Sequence, residues 1–296
     1  MPSARVFITR RLPVAGLAAL HDADFDVDMR AADDACPRDE LLSGVNGAAA
    51  VVTLLSDRVD DEFLDAAGTG LRIVANYAVG YDNIDVEACS RRGVAVANTP
   101  DVLTEATADH AFALLLAVAR RLREGHALAA SGNWRGWQPL QLLGRDVSGS
   151  TLGIVGMGRI GGAVARRARA FDMRVLYHNR RRNADAEAAV GARFVTLDEI
   201  LGESDAVSLH APLTPETHHL IDAAAITRMK PSAILINTSR GPLVDEAALV
   251  DALSGRRLWG AGLDVFEQEP VVHPGLRELP NVVLAPHTGS ATERTR

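Results

Sequence analysis

Hydrophobic and polar positions fall into a repeating rhythm from the start of the chain. Short apolar runs rich in β-formers, at Arg5 to Thr9, Phe25 to Met29, Ala48 to Leu54, Leu71 to Ala75 and Val94 to Ala97, alternate with stretches of helical spacing. Continuous short apolar runs separated by helices are the signature of a parallel sheet covered on both faces. The regime changes at Thr99-Pro100-Asp101, where an Ala/Leu-rich segment without proline runs to about Ala130. Its periodicity predicts one long helix joining two domains. Trp134 and Trp137 follow among Gly and Pro, and a second alternation opens at Ser150 to Val155 and continues through Val175, Val207, Ile234 and Val283. That block predicts a second doubly wound sheet. No repeat or low-complexity tract interrupts either half, which argues against a solenoid or a disordered arm.

Length and composition agree with two domains: 296 residues, 47% hydrophobic and 23% charged, fill two ordinary cores. The net charge of -7, with basic residues scattered in short runs such as Arg166, Arg167 and Arg169, gives no field for a polyanion, so nucleic acid is not an expected partner. The apolar run Val6-Phe7-Ile8 near the N-terminus is too short for a signal peptide core or a membrane span. Cys36 and Cys89 stand far apart without histidines at ligand spacing, so neither a disulfide framework nor a metal site is expected, and a reducing cytoplasm fits.

Chemistry enters with the glycines. Leu152 to Val155 leads into Gly156-Met157-Gly158-Arg159-Ile160-Gly161, then a helical stretch to Phe171 and a strand from Met173 to Tyr177. In that strand, turn and helix context the motif predicts dinucleotide binding: Gly156 for the tight turn, Gly158 for close approach of a pyrophosphate, Gly161 for helix-strand packing. A carboxylate after the second strand would grip a free ribose 2'-hydroxyl. The chain instead reads His178-Asn179-Arg180-Arg181-Arg182. Guanidinium groups there suit a 2'-phosphate, so NADP(H) is expected, with NAD(H) the alternative should the arginines form only a solvated surface run.

Three later strand-like segments end in polar residues. Ile234 to Asn237 runs into Thr238-Ser239-Arg240-Gly241; Gly262-Leu263 into Asp264-Val265-Phe266-Glu267-Gln268-Glu269-Pro270; Val282 to Ala285 into Pro286-His287-Thr288-Gly289. Carboxyl ends of parallel strands are where open α/β sheets bind ligands. Reduction of a keto acid needs a cation to hold the carboxylate and polarise the carbonyl, an acid to protonate the forming alkoxide, and a group that keeps that acid charged and oriented. Arg240, His287 and Glu269 match these roles.

Taken in order, the glycine fingerprint, Asn237-Thr-Ser-Arg-Gly, Gly262-Leu-Asp-Val-Phe-Glu-Gln-Glu-Pro and Ala285-Pro-His-Thr-Gly resemble the D-isomer-specific 2-hydroxyacid dehydrogenases over nearly the whole chain. The segments Ala75 to Asp85 and Asn98 to Thr104 are especially similar to the glyoxylate and hydroxypyruvate reductase branch. The resemblance implies two doubly wound α/β domains, a flavodoxin-like substrate domain at 1–98 and a Rossmann NAD(P)-binding domain at 99–287, with the active site in an interdomain cleft. It implies that 288–296 and a further helix complete the first domain, although this sequence ends at Arg296. It further implies a homodimer, with Trp134 and Trp137 either reaching a partner's cleft or serving as a hydrophobic anchor. Among site residues it implies Arg240, Glu269 and His287 as the catalytic trio, Val79 and Gly80 amides helping Arg240 with the substrate carboxylate, and Leu55 and Ser56 lining the pocket. Around the cofactor it implies Thr107, Gly156, Gly158, Arg159, Ile160, Gly161, Asn179, Arg180, Arg181, Pro212, Thr217, Thr238, Ser239, Asp264 and Gly289, with Asp264 near the nicotinamide carboxamide. Glu267 is not the partner of His287, and His210 and His218 receive no catalytic role.

The resulting expectation is a reductase of glyoxylate or hydroxypyruvate. The alternatives are a phosphoglycerate-type enzyme, which would want basic residues around a phosphate and often carries a regulatory domain, a hydroxyphenylpyruvate reductase, and a non-enzymatic dinucleotide-sensing corepressor on the same fold.

Overall fold

The computed structural model describes residues 3–296, which divide into two compact units: one running to Val102 and including Arg296, the other Leu103–Thr295. In the first, β1 (Arg5–Ile8), α1 (Val14–Asp22), β2 (Asp26–Met29), α2 (Arg38–Val45), β3 (Ala50–Thr53), α3 (Asp61–Ala67), β4 (Ile73–Asn76), α4 (Val86–Arg91) and β5 (Ala95–Ala97) alternate strictly. The strands form one parallel sheet in the order β2-β1-β3-β4-β5, the doubly wound order of flavodoxin-like folds. Two of its helices, α3 and α4, start where the sequence supplies caps: Asp60 accepts from the Phe63 amide and Asp85 from the Ala88 amide. Phe7, Val51, Phe63, Leu64 and Val74 fill the core between sheet and helices.

The second unit holds α5 (Thr104–Ala119), α6 (Leu122–Ala130), β6 (Thr151–Val155), α7 (Arg159–Ala170), β7 (Arg174–His178), α8 (Ala184–Val190), β8 (Arg193–Phe194), α9 (Leu197–Glu203), β9 (Ala206–Leu209), α10 (Ala223–Arg228), β10 (Ile234–Asn237), α11 (Glu246–Ser254), β11 (Gly260–Leu263), α12 (Pro274–Glu278) and β12 (Val282–Leu284). Seven parallel strands run in the order β12-β11-β10-β9-β6-β7-β8. Reading outward from β6 this is the Rossmann order with one strand added, and the order reverses between β6 and β9. β6, β9, β10 and β11 are buried along their whole length, as strands covered on both faces must be. One face packs beneath α9, α10 and α11 through Ile200, Ile226 and Leu249, the other beneath α5 and α7 through Leu115, Val164 and Ala168. Two arginines of the basic run in α7 pin it to α5: Arg167 meets Glu105 at 2.9 Å and Asp109 at 2.6 Å, and Arg166 meets Glu105 at 2.5 Å.

The single long helix expected from the Ala/Leu-rich segment is two helices. Arg121 adopts a left-handed φ of 51°, and the Ala119 carbonyl, which would have continued the helix, accepts the Arg145 amide at 2.8 Å. The returning segment comes so close that a side chain at Gly144 would overlap that carbonyl. A tertiary hydrogen bond here overrides a periodicity that favours helix. Trp134 is 56% and Trp137 81% exposed, beside exposed Leu140 and Leu143. No helix among the described residues is long and apolar enough to cross a membrane.

Candidate active site

The glycine turn lies at the point where the strand order reverses. Gly156 follows β6 with φ +99°, and a Cβ on it would lie 2.5 Å from the His210 carbonyl carbon, just past the end of β9. Both conformation and space therefore require glycine. Gly161 is pressed against the Gly156 carbonyl, whereas a Cβ on Gly158 would meet nothing within 4 Å. Gly158 is the N-cap of α7, offers no side chain to its first-turn amides, and is followed by no acidic residue in that turn. This helix end thus turns a positive dipole, without a side-chain cap, toward open space, a fit for a pyrophosphate. Arg159 and Ile160 open the helix.

At the end of β7, Asn179 accepts the Met157 amide at 2.6 Å and Asn183 donates to the Met157 carbonyl at 2.9 Å, so the glycine turn and the arginine loop are stitched together. The three arginines are not equivalent. Arg182 makes a two-pronged contact with Glu187 at 2.7 and 2.6 Å, and Glu187 also accepts the Tyr177 hydroxyl at 2.6 Å. The Glu187 carboxyl is lowered to about 2, chiefly by the Arg182 bond. Arg180 and Arg181 are exposed and make no ion pair among the described residues.

Across the switch point, the Pro212 to Thr217 loop is closed by Thr217, whose hydroxyl donates to the Pro212 carbonyl and accepts the Thr214 amide, each at 2.8 Å. Ser239 donates to the Ala211 carbonyl at 2.5 Å. The Thr238 hydroxyl, by contrast, is buried with no hydrogen-bond partner, a cost that a bound polar ligand would relieve. Just before this loop, burial lowers the His210 ring to about 4, so it is neutral at pH 7.

The ends of neighbouring strands β10, β11 and β12 interlock. Asn237 donates to the Arg240 carbonyl at 2.8 Å, and Arg240 donates to the Ser239 carbonyl at 2.8 Å. Gly241 lies so close to the Phe266 carbonyl that any side chain would overlap it. The Asp264 amide donates to the Asn237 carbonyl at 2.9 Å, and the His287 amide to the Asp264 carbonyl at 2.8 Å. His287 takes a left-handed φ of 54°, and its Nδ1 stands 2.8 Å from Glu269 Oε2. The other oxygen of Glu269 accepts the Phe266 amide at 3.0 Å. A carboxylate fixed this way selects the tautomer with the proton on Nδ1 and turns Nε2 outward.

Asp264, 1% exposed, accepts the amides of Thr288 and Gly289, each at 2.7 Å. Its carboxylate thus holds the turn behind His287. A Cβ on Gly289 would crowd Asp264 Oδ2 and Thr107, so Thr107, Asp264 and Gly289 form one cluster. His110, one helical turn beyond Thr107, joins it at 3.2 Å from Asp264 Oδ1, although not aligned for a hydrogen bond. The sequence did not mark His110; its i+3 spacing from Thr107 on one helix was the available signal. It also passed over His219, which stands 2.5 Å from Glu267.

In the first unit, Leu55 and Ser56 follow β3, and Ser56 accepts from Arg10 at 2.8 Å. The carbonyls of Ala78, Val79 and Gly80, past the end of β4, accept from the Thr99 amide, Asn98 and Asn76 respectively. With the carbonyls held, the Val79 and Gly80 amides donate to nothing among the described residues. Such paired free donors suit a carboxylate. Asn76 and Asn98, unmarked in the sequence reading, are the side chains that orient them.

Residues 112–289 match the family described as D-isomer specific 2-hydroxyacid dehydrogenase, NAD binding domain. Among curated proteins, a glyoxylate reductase of Thermococcus litoralis is 51% identical over 296 residues, 99% of this chain and 89% of that protein. Among solved structures, a protein of Thermus thermophilus superposes with a TM-score of 0.91 at 50% identity, covering 99% of this chain and 92% of that one. An NADPH-dependent glyoxylate/hydroxypyruvate reductase from Sinorhizobium meliloti, solved with NADP and malonate, has a TM-score of 0.85 at 35% identity over 99% of this chain and 88% of its own.

Proposed function

The chain belongs to the D-isomer-specific 2-hydroxyacid dehydrogenase family, and we propose that it reduces glyoxylate, with hydroxypyruvate as a second substrate, using NADPH in preference to NADH. As a family member it is an NAD(P)-dependent oxidoreductase. The observation that carries the reading is the His287–Glu269 pair, 2.8 Å apart and braced by the Phe266 amide and the Asp264 carbonyl. When bound, the nicotinamide supplies a hydride to the keto carbon. The chain's own residues handle charge and protons. Arg240 grips the substrate carboxylate and draws electron density toward the keto oxygen, and in the first unit the Val79 and Gly80 amides offer paired donors to a carboxylate. His287 gives the proton on Nε2 to that oxygen while Nδ1 stays bonded to Glu269, which stabilises the ring's charge before transfer. Leu55 and Ser56 bound a pocket for a small substrate.

The preference for NADPH rests on Arg180 and Arg181, exposed and without ion pairs where a ribose 2'-phosphate would lie, and on the absence of a carboxylate from His178 to Arg182. The nucleotide is held by the Gly158 helix end, the Thr238 hydroxyl, and the Pro212 and Asp264 loops. The exposed run of Trp134, Trp137, Leu140 and Leu143 supports a homodimer, since a single copy leaves this patch in water.

The test follows loss of NADPH and, separately, NADH with glyoxylate, hydroxypyruvate, pyruvate, hydroxyphenylpyruvate and phosphohydroxypyruvate. The expected result is fastest turnover of glyoxylate with NADPH, and a rise in the NADPH KM of about 10-fold or more in an Arg180→Ala/Arg181→Ala variant with little change for NADH. Turnover confined to the phosphorylated or aromatic acid would overturn the substrate assignment, and tight NADPH binding without turnover of any acid would favour a sensor.

A further inference from the structure

We infer that His219 and Glu267 form a strut joining the loop after β9 to the loop that carries Glu269, and that both are positioning residues for the acid–base pair. The inference rests on the reading of His287 and Glu269 as that pair.

The loop from Phe266 to Pro270 carries two carboxylates that face different partners. Glu269 bonds His287, while Glu267, two residues earlier, meets His219 Nε2 at 2.5 Å. Glu267 is fastened at three further points. Its Oε2 accepts the Glu246 amide at 3.0 Å, its own amide donates to Glu246 Oε1 at 2.9 Å, and its backbone lies against Gly241. Glu246, at the start of α11, is 5% exposed, and burial raises its carboxyl. His219 is fixed in turn: its amide donates to the Pro242 carbonyl at 2.8 Å, it adopts a φ of 51°, and the His218 ring lies 4.1 Å away. The titratable groups around the strut are therefore Glu246 and His218, with His273 acting on Glu246 through space.

An isolated pair at this exposure, 35% for His219 and 24% for Glu267, would contribute little to stability. Its placement gives it another use. The Phe266 amide that orients Glu269 is one residue from Glu267, so freeing the Glu267 side chain lets that peptide turn and loosens Glu269. At the other end, His219 is two residues from Thr217, whose hydroxyl closes the loop assigned to the cofactor. The strut thereby fixes the proton-donating pair relative to the loop assigned to the cofactor. Small errors in that placement cost turnover far more than binding.

The experiment compares His219→Leu, His219→Gln, Glu267→Gln and the His219→Leu/Glu267→Gln double variant in the full chain, reading kcat, both KM values and Tm, with His287→Ala as reference. The expected result is a kcat about 10-fold to 100-fold lower in His219→Leu, with both KM values within about twofold. His219→Gln, whose amide still donates to Glu267, should restore most of the loss. The double variant should be no worse than the poorer single one, as for residues acting through one bond. Wild-type kcat in His219→Leu, additive losses in the double variant, or a parallel fall of kcat and Tm that His219→Gln does not rescue would each overturn the strut. Should His219→Leu fail to fold, His219→Gln and Glu267→Gln decide: equal kcat in wild type and Glu267→Gln refutes the proposal, and a kcat-only loss supports it. Full turnover in His287→Ala would refute the underlying acid–base reading instead.

Discussion

The two ends of the site on the seven-stranded sheet are built from opposite materials. At the nucleotide end, between β6 and β9, side chains are missing where contact matters: Gly156 for its φ and its approach to His210, Gly158 for open space at a helix start, Gly161 for packing. At the proposed acid–base end, past β10, β11 and β12, the arrangement rests on side chains, most of them held by another group: His287 by Glu269, Glu269 by the Phe266 amide, the His287 turn by Asp264, the Glu269 loop by Glu246. A backbone anion site needs only the right dihedrals and emptiness. A proton donor needs one atom aimed at one place, and aiming takes several independent bonds.

The largest effect should come from removing the aimed atom. His287→Ala is expected to lower kcat about 10³-fold while NADPH binding, read by quenching of protein fluorescence, changes less than about threefold. Equal losses in both would break the division of labour between the two ends. At the nucleotide end the contrast is between two glycines. Gly156→Ala, with a positive φ and backbone 2.5 Å from the new Cβ, should cost about 2 kcal/mol or more of stability. Gly158→Ala should leave Tm nearly unchanged and weaken NADPH binding, because only the ligand's space is filled. A Gly158→Ala protein as unstable as Gly156→Ala would mean that the fingerprint is wholly structural.

The smallest effect sharpens the comparison between the histidines. Burial holds His210 neutral, lowered to about 4 from an unfolded value of 6.5. The unfolded chain therefore takes up this proton before the folded one does, so stability is greatest above pH 6.5 and declines as pH falls toward 4. Thermal unfolding between pH 7 and 4.5 should show a fall in Tm that His210→Gln reduces by a few degrees, on the order of 3 °C. An identical pH dependence in both proteins would mean that His210 is not the group responsible.

Much of this was legible in the residues. The apolar rhythm marked both sheets, because parallel strands buried on both faces must be continuous in sequence, and the glycine fingerprint announced its turn because only glycine satisfies the sterics there. Arg240, Glu269 and His287 were marked as chemistry because a cation, a carboxylate and an imidazole stand past three strand ends. Less visible was how each is held. The break at Arg121 depends on a hydrogen bond from Arg145, 24 positions later than the point of the break. The separation of Arg182 from Arg180 and Arg181 depends on Glu187. Sequence by itself determined the alternation of elements, the family and the chemical inventory, since these follow from local pattern and from steric needs met by single residues. Only the tertiary structure decided what Glu267 faces, namely His219. Glu267 and Glu269 are two positions apart on one loop, and the direction each side chain takes is set by Glu246, His219 and His287, all of which come from other segments of the chain.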